Sequence, residues 1–309
     1  MSQHDVRNEV IRLAENTLLS NKEIAKIAGC SPRTVARYVG SYNERREAKM
    51  SVSSDDMFKV HKVVLLPDIH YPHYEQRVLD SVEEFIQDYD PDELVYMGDQ
   101  ISLDCISSWN REKPLLKEGQ RLLADYDGFD YHILQKHEKI TRPNIKRTFM
   151  IGNHEQRIQW YCELHPELEG FIDIIRHLEL EDRDYKIIPF NEIHSIGKLS
   201  VIHGFYWNKY HATKTLEAFE GNVVYGHVHN PQMYAKVSPI DRQGYHTATS
   251  LPCLCNIRPD YRRNTPNFWI NGFGVAEYLP ATGFFNLFTV IINDGGFMYN
   301  GKYYGKSLH

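Results

Sequence analysis

Seven residues of this 309-residue chain have side chains suited to divalent cations, and they fall in five short clusters: Asp68-Ile-His70, Gly98-Asp99, Gly152-Asn153-His154-Glu155, His203-Gly204 and Gly226-His227-Val-His229. Carboxylate, imidazole and amide oxygen together suit Mn²⁺, Fe²⁺, Zn²⁺ or Ni²⁺ better than they suit a cysteine-based structural zinc site, and no thiolate is expected among them. Asp68, His70, Asp99, Asn153, His203, His227 and His229 exceed one ion's needs. An aspartate that bridges lets such a set serve two ions about 3.5–4 Å apart. Two cations at that distance suit phosphoester hydrolysis, because together they generate a hydroxide nucleophile and neutralise the charge growing on the phosphorus oxygens.

Each cluster sits where an apolar run ends. Val63-Val-Leu-Leu66 precedes Asp68, Leu94-Val-Tyr-Met97 precedes Asp99, and Phe149-Met-Ile151 precedes Asn153. Leu199-Ser-Val-Ile202 precedes His203, and Val223-Val-Tyr225 precedes His227. Runs of four or so β-branched and aromatic residues read as buried strands. Strands that end together put their terminal loops on one edge of a sheet, so residues distant in sequence converge on one crevice.

On these five ordered motifs, DxH, GD, GNHE, H and GHxH, the chain resembles the calcineurin-like metallophosphoesterase superfamily over roughly residues 60 to 235. The resemblance implies a four-layer αββα sandwich of two mixed sheets, an α/β or α+β architecture. It implies that Asp68, His70 and His229 hold one metal, that Asn153, His203 and His227 hold the other, and that Asp99 bridges them. The two cofactor ions would most simply be Mn²⁺. His154 would be the histidine that binds no metal, contacts the phosphate and helps protonate the leaving group. The chain departs from two branches of the superfamily. Ser102 stands where the double-strand-break-repair nucleases carry histidine, and Gly98-Asp-Gln-Ile-Ser-Leu-Asp104 does not follow the GDxVDRG of the protein serine/threonine phosphatases. What remains is a bacterial or bacteriophage-like phosphoesterase. Among the 16 histidines, His4, His61, His132, His137, His165, His177, His194, His211, His246 and His309 read as core or surface residues. His73 and His194 are the less clear cases, with a solvated loop position expected for His73.

Composition bounds the class. No apolar run approaches the roughly 18–20 residues that a membrane span needs, and the polar N-terminus lacks a signal-peptide pattern, so a cytoplasmic enzyme without a membrane partner is expected. Five cysteines are an odd number, and Cys253-Leu-Cys255 lacks CxxC spacing, so reduced and mostly buried thiols are expected.

The N-terminal stretch is of another kind. Val6, Val10, Ile11, Leu13, Ala14 and Leu18 follow a helical period; Ser20 or Asn21 can cap a second helix through Ala28; Gly29 suits a left-handed turn; Ser31-Pro32 opens a third helix to about Tyr42. The segment Asn21 to Tyr38 resembles a helix-turn-helix of the resolvase or sigma-factor kind. Residues 1–45 would form this small all-α domain and 46–58 a linker within the polar run Asn43 to Phe58, leaving 59–309 for the phosphoesterase domain. A helix-turn-helix would present Arg33, Thr34 and Arg37 to the DNA major groove, with Lys22 and Lys26 nearer the backbone. Residues 1–50 hold nine Lys or Arg against six acids, so this piece is cationic inside a chain of net charge −6. A three-helix bundle used for dimerisation or docking is the competing reading.

Residues 105–141 read as a charged, helix-rich insertion capping the site, with Trp109, Leu115, Leu116, Leu122, Leu123 and Ile133 as its buried face. The β-like runs Phe284 to Ile292 and Gly296 to Tyr304 read as hairpins extending the second sheet. The loop Ile257 to Trp269 mixes Arg258, Arg262 and Arg263 with aromatics, as gripping phosphates and stacking bases would require, though a solvated basic loop fits equally. Three functions follow for test: a metal-dependent DNA nuclease or phosphodiesterase; a small-molecule phosphomonoesterase or cyclic-nucleotide phosphodiesterase whose N-terminal domain serves assembly; and a DNA-binding regulator whose hydrolase fold senses metal.

Overall fold

The computed structural model describes residues 3–16, 19–40, 57–237, 244–259 and 265–306. The chain divides into two compact units, Met1–Lys59 and Val60–His309. The expected linker lies outside the described residues apart from Met57 and Phe58.

In the first unit, α1 (Gln3–Asn16) and α2 (Asn21–Ala28) are followed by a helix at 32–40, α3. Ser20 caps α2 reciprocally, its hydroxyl accepting from the Glu23 N–H while its own N–H donates to the Glu23 carboxylate. Gly29 ends the helix at φ 65°, a conformation that costs glycine nothing and lets its N–H reach the Ala25 carbonyl. Val10, Leu13, Ile24, Ala25, Ala28 and Val35 bury one shared core. Each large member contributes roughly 1.5–3 kcal/mol by leaving water.

The second unit is built on two mixed sheets. The first has the order β11-β10-β1-β2-β3-β4, from β1 (His61–Leu66), β2 (Glu93–Tyr96), β3 (Lys146–Met150), β4 (Tyr185–Ile188), β10 (Gly272–Tyr278) and β11 (Phe285–Ile291). The second has the order β5-β6-β7-β9-β8, from β5 (His194–Ile196), β6 (Leu199–Ile202), β7 (Asn222–Tyr225), β8 (Gln232–Val237) and β9 (Tyr245–Ser250). Successive strand residues face opposite sides. Thus Val63, Leu65, Val95 and Met97 pack with Val201, Val224 and Leu251 between the sheets, while Val64, Leu66, Leu94 and Tyr96 face helices on the other side. Helix α4 (Gln76–Tyr89) supplies Val78, Leu79, Val82, Phe85 and Ile86 to that outer core, and Leu216 of a later helix, His211–Phe219, covers Val223 and Tyr225 of the second sheet. Helix, sheet, sheet and helix therefore stack in that order. Among the described residues, no helix is long and apolar enough to cross a membrane.

Two expectations are corrected here. Much of the supposed insertion is the crossover between parallel strands β2 and β3: α5 (Leu122–Phe129), a π-helical stretch (Asp130–Leu134) and α6 (Gln135–Ile140). Leu122, Tyr126, Phe129 and Ile133 recur at helical spacing and pack into the outer core, whereas Trp109, Leu115 and Leu123 are exposed. The side chain of Leu116 lies outside the described residues. The C-terminal strands also do not extend the second sheet. β10 pairs antiparallel with the free edge of β1 and carries β11 with it, and Phe297–Tyr299 with Lys302–Tyr304 form a separate hairpin, β12–β13.

Candidate metal centre

Strands β1, β2 and β3 run parallel in one sheet, and β6, β7 and β9 run parallel in the other. The five clusters lie directly after β1, β2, β3, β6 and β7. The chain turns sharply at three of them. Asp68, His70, Asp99, His227 and His229 all adopt positive φ, between 50° and 69°. Non-glycine residues take that conformation at a cost of order 1–3 kcal/mol, and such strain concentrates at functional sites. The backbones also approach closely: a Cβ on Gly152 would overlap the backbone N and Oδ1 of Asp99, and one on Gly226 would overlap Oδ2 of Asp68.

The structure gathers the seven expected ligands into two adjoining groups. Asp68, His70 and His229 form one, with His229 Nε2 at 3.3 Å from Asp68 Oδ1 and at 3.1 Å from His70 Nε2. Asp99, His203 and His227 form the other, and Asn153 Oδ1 lies 2.9 Å from His203 Nε2. Asp99 faces both: Oδ1 is 3.3 Å from His203 Nε2 and Oδ2 is 3.8 Å from His70 Nε2. His203 donates its Nδ1–H to the Met97 carbonyl at 3.0 Å, which aims Nε2 into the group. The donor set fits a pair of cations. His227 Nδ1 is buried with no hydrogen-bond partner among the described residues, and the facing Nε2 atoms of His70 and His229 would share a cation better than they share one proton.

The electrostatics follow from burial and proximity. Burial opposes charge on His203 and His229, yet Asp99 beside the first, and the Cys253 thiol with Asp68 beside the second, hold both up at about 9. Burial lowers His154 to about 4 against the pull of Asp99, with the Arg157 cation helping. His154 donates Nδ1–H to the Ser102 carbonyl at 2.8 Å, so Nε2 accepts from Arg157 Nη2 at 2.9 Å. Its backbone N–H is bonded to Asp99 Oδ1 at 2.8 Å, tying the histidine to that carboxylate.

Glu155 is a residue whose importance the sequence did not disclose. Its carboxylate accepts the N–H groups of Asp99, Gln100, Ile101 and Gly152 at 2.7–3.0 Å, fastening the loop after β2 to the loop after β3. Burial and neighbouring Asp99 push its acid up to about 7, while the four donors favour the ionised form. Arg157 was also missed. It reaches back one helical turn to His154 and donates to the Ser102 carbonyl at 2.6 Å. The spacing His154 to Arg157, three residues at a helix start, is the signal that could have found it.

The groups open into a cleft of about 570 Å³ whose wall includes His73, Asp104, Trp109, Lys113, Arg157 and Trp269. His73, expected in a solvated loop, instead pairs with Asp104 at 2.9 Å on that wall. His194 is core, held by Glu93 at 2.9 Å. Cys255 reaches the cleft and lies 3.8 Å from His229 Nδ1, which corrects the expectation of a thiol-free crevice. β9 is the cause: it runs parallel to β7, so the loop after Ser250 returns to the same edge.

Arg258 is exposed between Asn256 and Pro259, both on the cleft wall, while Arg262 and Arg263 lie outside the described residues. In the first unit Lys22, Lys26, Arg33 and Arg37 are exposed. Thr34 is half-buried and occupied locally, its N–H donating to the Ser31 hydroxyl at 3.1 Å where α3 begins.

No family model and no curated protein matches the sequence. Similar solved structures include Vps29 from Cryptosporidium parvum, at 11% identity and TM-score 0.39, covering 79% of this chain and 94% of that one. Wild-type Vps29 from Entamoeba histolytica, complexed with zinc, is similar at 11% identity and TM-score 0.35, covering 75% and 99%. Vps29 from Chaetomium thermophilum is similar at 9% identity and TM-score 0.33, covering 80% and 98%. A likeness at this level carries nothing about function, which is read from the chain's own residues.

Proposed function

We propose that the chain is a dinuclear-metal phosphoesterase that hydrolyses phosphodiester bonds, with nucleic acid as its substrate class and residues 1–45 as a DNA-addressing module. One observation carries the reading: a single carboxylate, Asp99, presents one oxygen to each of two adjoining donor groups. A cation pair bound there would supply Lewis acidity and charge neutralisation to a phosphoryl group, with Mn²⁺ as the simplest occupant of an oxygen and nitrogen donor set. Asp68, His70 and His229 would hold one ion, and Asn153, His203 and His227 the other. The chain's remaining groups orient the ester. Arg157 and His154 sit side by side on the wall, so a phosphoryl oxygen arriving there meets a guanidinium; it would draw Arg157 off His154 Nε2, and its negative charge would favour a proton on that nitrogen, which could then pass to a leaving oxygen. Glu155 holds both loops in place while this happens.

The size of the cleft favours a second reading. About 570 Å³ suits one small ester, so a phosphomonoesterase or cyclic-nucleotide phosphodiesterase is the alternative. A Mn²⁺-supplemented panel separates the two. Cleavage of single-stranded or duplex oligonucleotides along with bis-p-nitrophenyl phosphate is expected, whereas turnover of mononucleotides with intact polymer would select the small-ester reading. Metal binding without turnover of any phosphoester would sink both and leave a metal-sensing regulator.

A further inference from the structure

Behind His229 the structure holds a second kind of donor set. Cys253 and Cys255 are two apart, isolated bridge residues on either side of a bend at Leu254. Both are free and buried, at 0% and 3% exposure. Their sulfurs and a ring nitrogen of His229 lie within 4.8 Å of one another, and Cys255 Sγ stands 3.8 Å from His229 Nδ1. The Trp269 ring packs against the imidazole with centroids 4.5 Å apart, which limits how far the ring can swing. Cys255 also borders the cleft, giving an entry path. Two thiols and an imidazole are soft donors, unlike the carboxylate and amide oxygens a few ångströms away.

We propose that His229, Cys253 and Cys255 form a separate site for a thiophilic d¹⁰ cation such as Zn²⁺ or Cd²⁺, and that filling it withdraws His229 from the Asp68–His70 group. The balance is simple. Two S–H protons leave to solvent as two sulfur–cation bonds form, and a third leaves from His229 wherever its ring is charged, so that Nδ1 can supply its lone pair. A neutral imidazole has one such pair, so Nε2 then carries the ring proton and no longer serves the neighbouring group. The two sites therefore compete for one side chain, whether or not the chain hydrolyses anything.

The test is a titration of the reduced full-length chain with Cd²⁺, followed by thiolate-to-cadmium ultraviolet absorption. One Cd²⁺ per chain should produce the band, Cys253→Ser and Cys255→Ser should each weaken it at least tenfold in affinity, and Asp99→Asn should keep it. Added Mn²⁺ should move the cadmium midpoint to higher concentration in the wild type. Should the serine variants fail to fold, X-ray absorption of wild-type protein with one equivalent of Zn²⁺ decides, with two sulfur neighbours at about 2.3 Å expected. A band indifferent to both serine changes, zinc surrounded by nitrogen and oxygen alone, or cadmium uptake indifferent to Mn²⁺ would each overturn the proposal. Loss of phosphoesterase activity in Asp99→Asn with the band retained separates this site from the paired-cation reading.

Discussion

Asp99 and His154 face the same centre, with His154 Nε2 3.8 Å from Asp99 Oδ2, so the variants of each should lower turnover. Asp99→Asn and His154→Ala are each expected to lower turnover of bis-p-nitrophenyl phosphate by about 10²–10⁴, with circular dichroism unchanged. Wild-type rates in either would remove the assigned role. Glu155 makes a different prediction, because its carboxylate holds four backbone N–H groups, that of Asp99 among them. Glu155→Gln turns an amide N–H₂ against two of those donors and should lower unfolding stability in urea by roughly 2–4 kcal/mol. The convergence of the seven candidate donors was legible because each motif couples a cation-binding side chain to a strand end. Glu155 was not, since an acidic residue after Asn-His reads the same whether it faces solvent or clasps a neighbouring loop. Cys253 and Cys255 were hidden for a topological reason: nothing in Tyr245–Ser250 announces a strand parallel to β7.

At the scale of elements, continuous apolar runs made β1, β2, β3, β6 and β7 readable, and a capping Ser20 with Gly29 made α2 readable. The crossover helix was misread because its charged outer face dominates the composition of 105–141, while Tyr126, Phe129 and Ile133 do the packing. One acid on that helix gives a pH-dependent prediction. Burial, with Asp104 nearby, pushes Asp125 up to about 6 from 3.8. A carboxyl raised in the folded state stabilises fully below about 4, and that contribution is lost as pH rises through about 6. Asp125→Asn should therefore raise the unfolding free energy at pH 8 by about 1–2 kcal/mol, discounted from the full linkage value for partial solvation, and by little at pH 4. An equal effect at both pH values in thermal or urea unfolding would contradict the assigned cause.

For the whole molecule, the division into Met1–Lys59 and Val60–His309 predicts separable functions. Arg33→Ala with Arg37→Ala should weaken DNA binding and flatten its salt dependence by about two log units per log unit of salt, while leaving turnover of a small ester as it was. DNA affinity that ignores both changes would assign the first unit to assembly instead. The central claim, however, concerns the second unit alone. Anomalous diffraction from crystals soaked in manganese tests it most directly: two ions about 3.5–4 Å apart are expected, with Asp99 contributing an oxygen to each. A single ion away from Asp99, or none within reach of His203 and His70, would contradict the account.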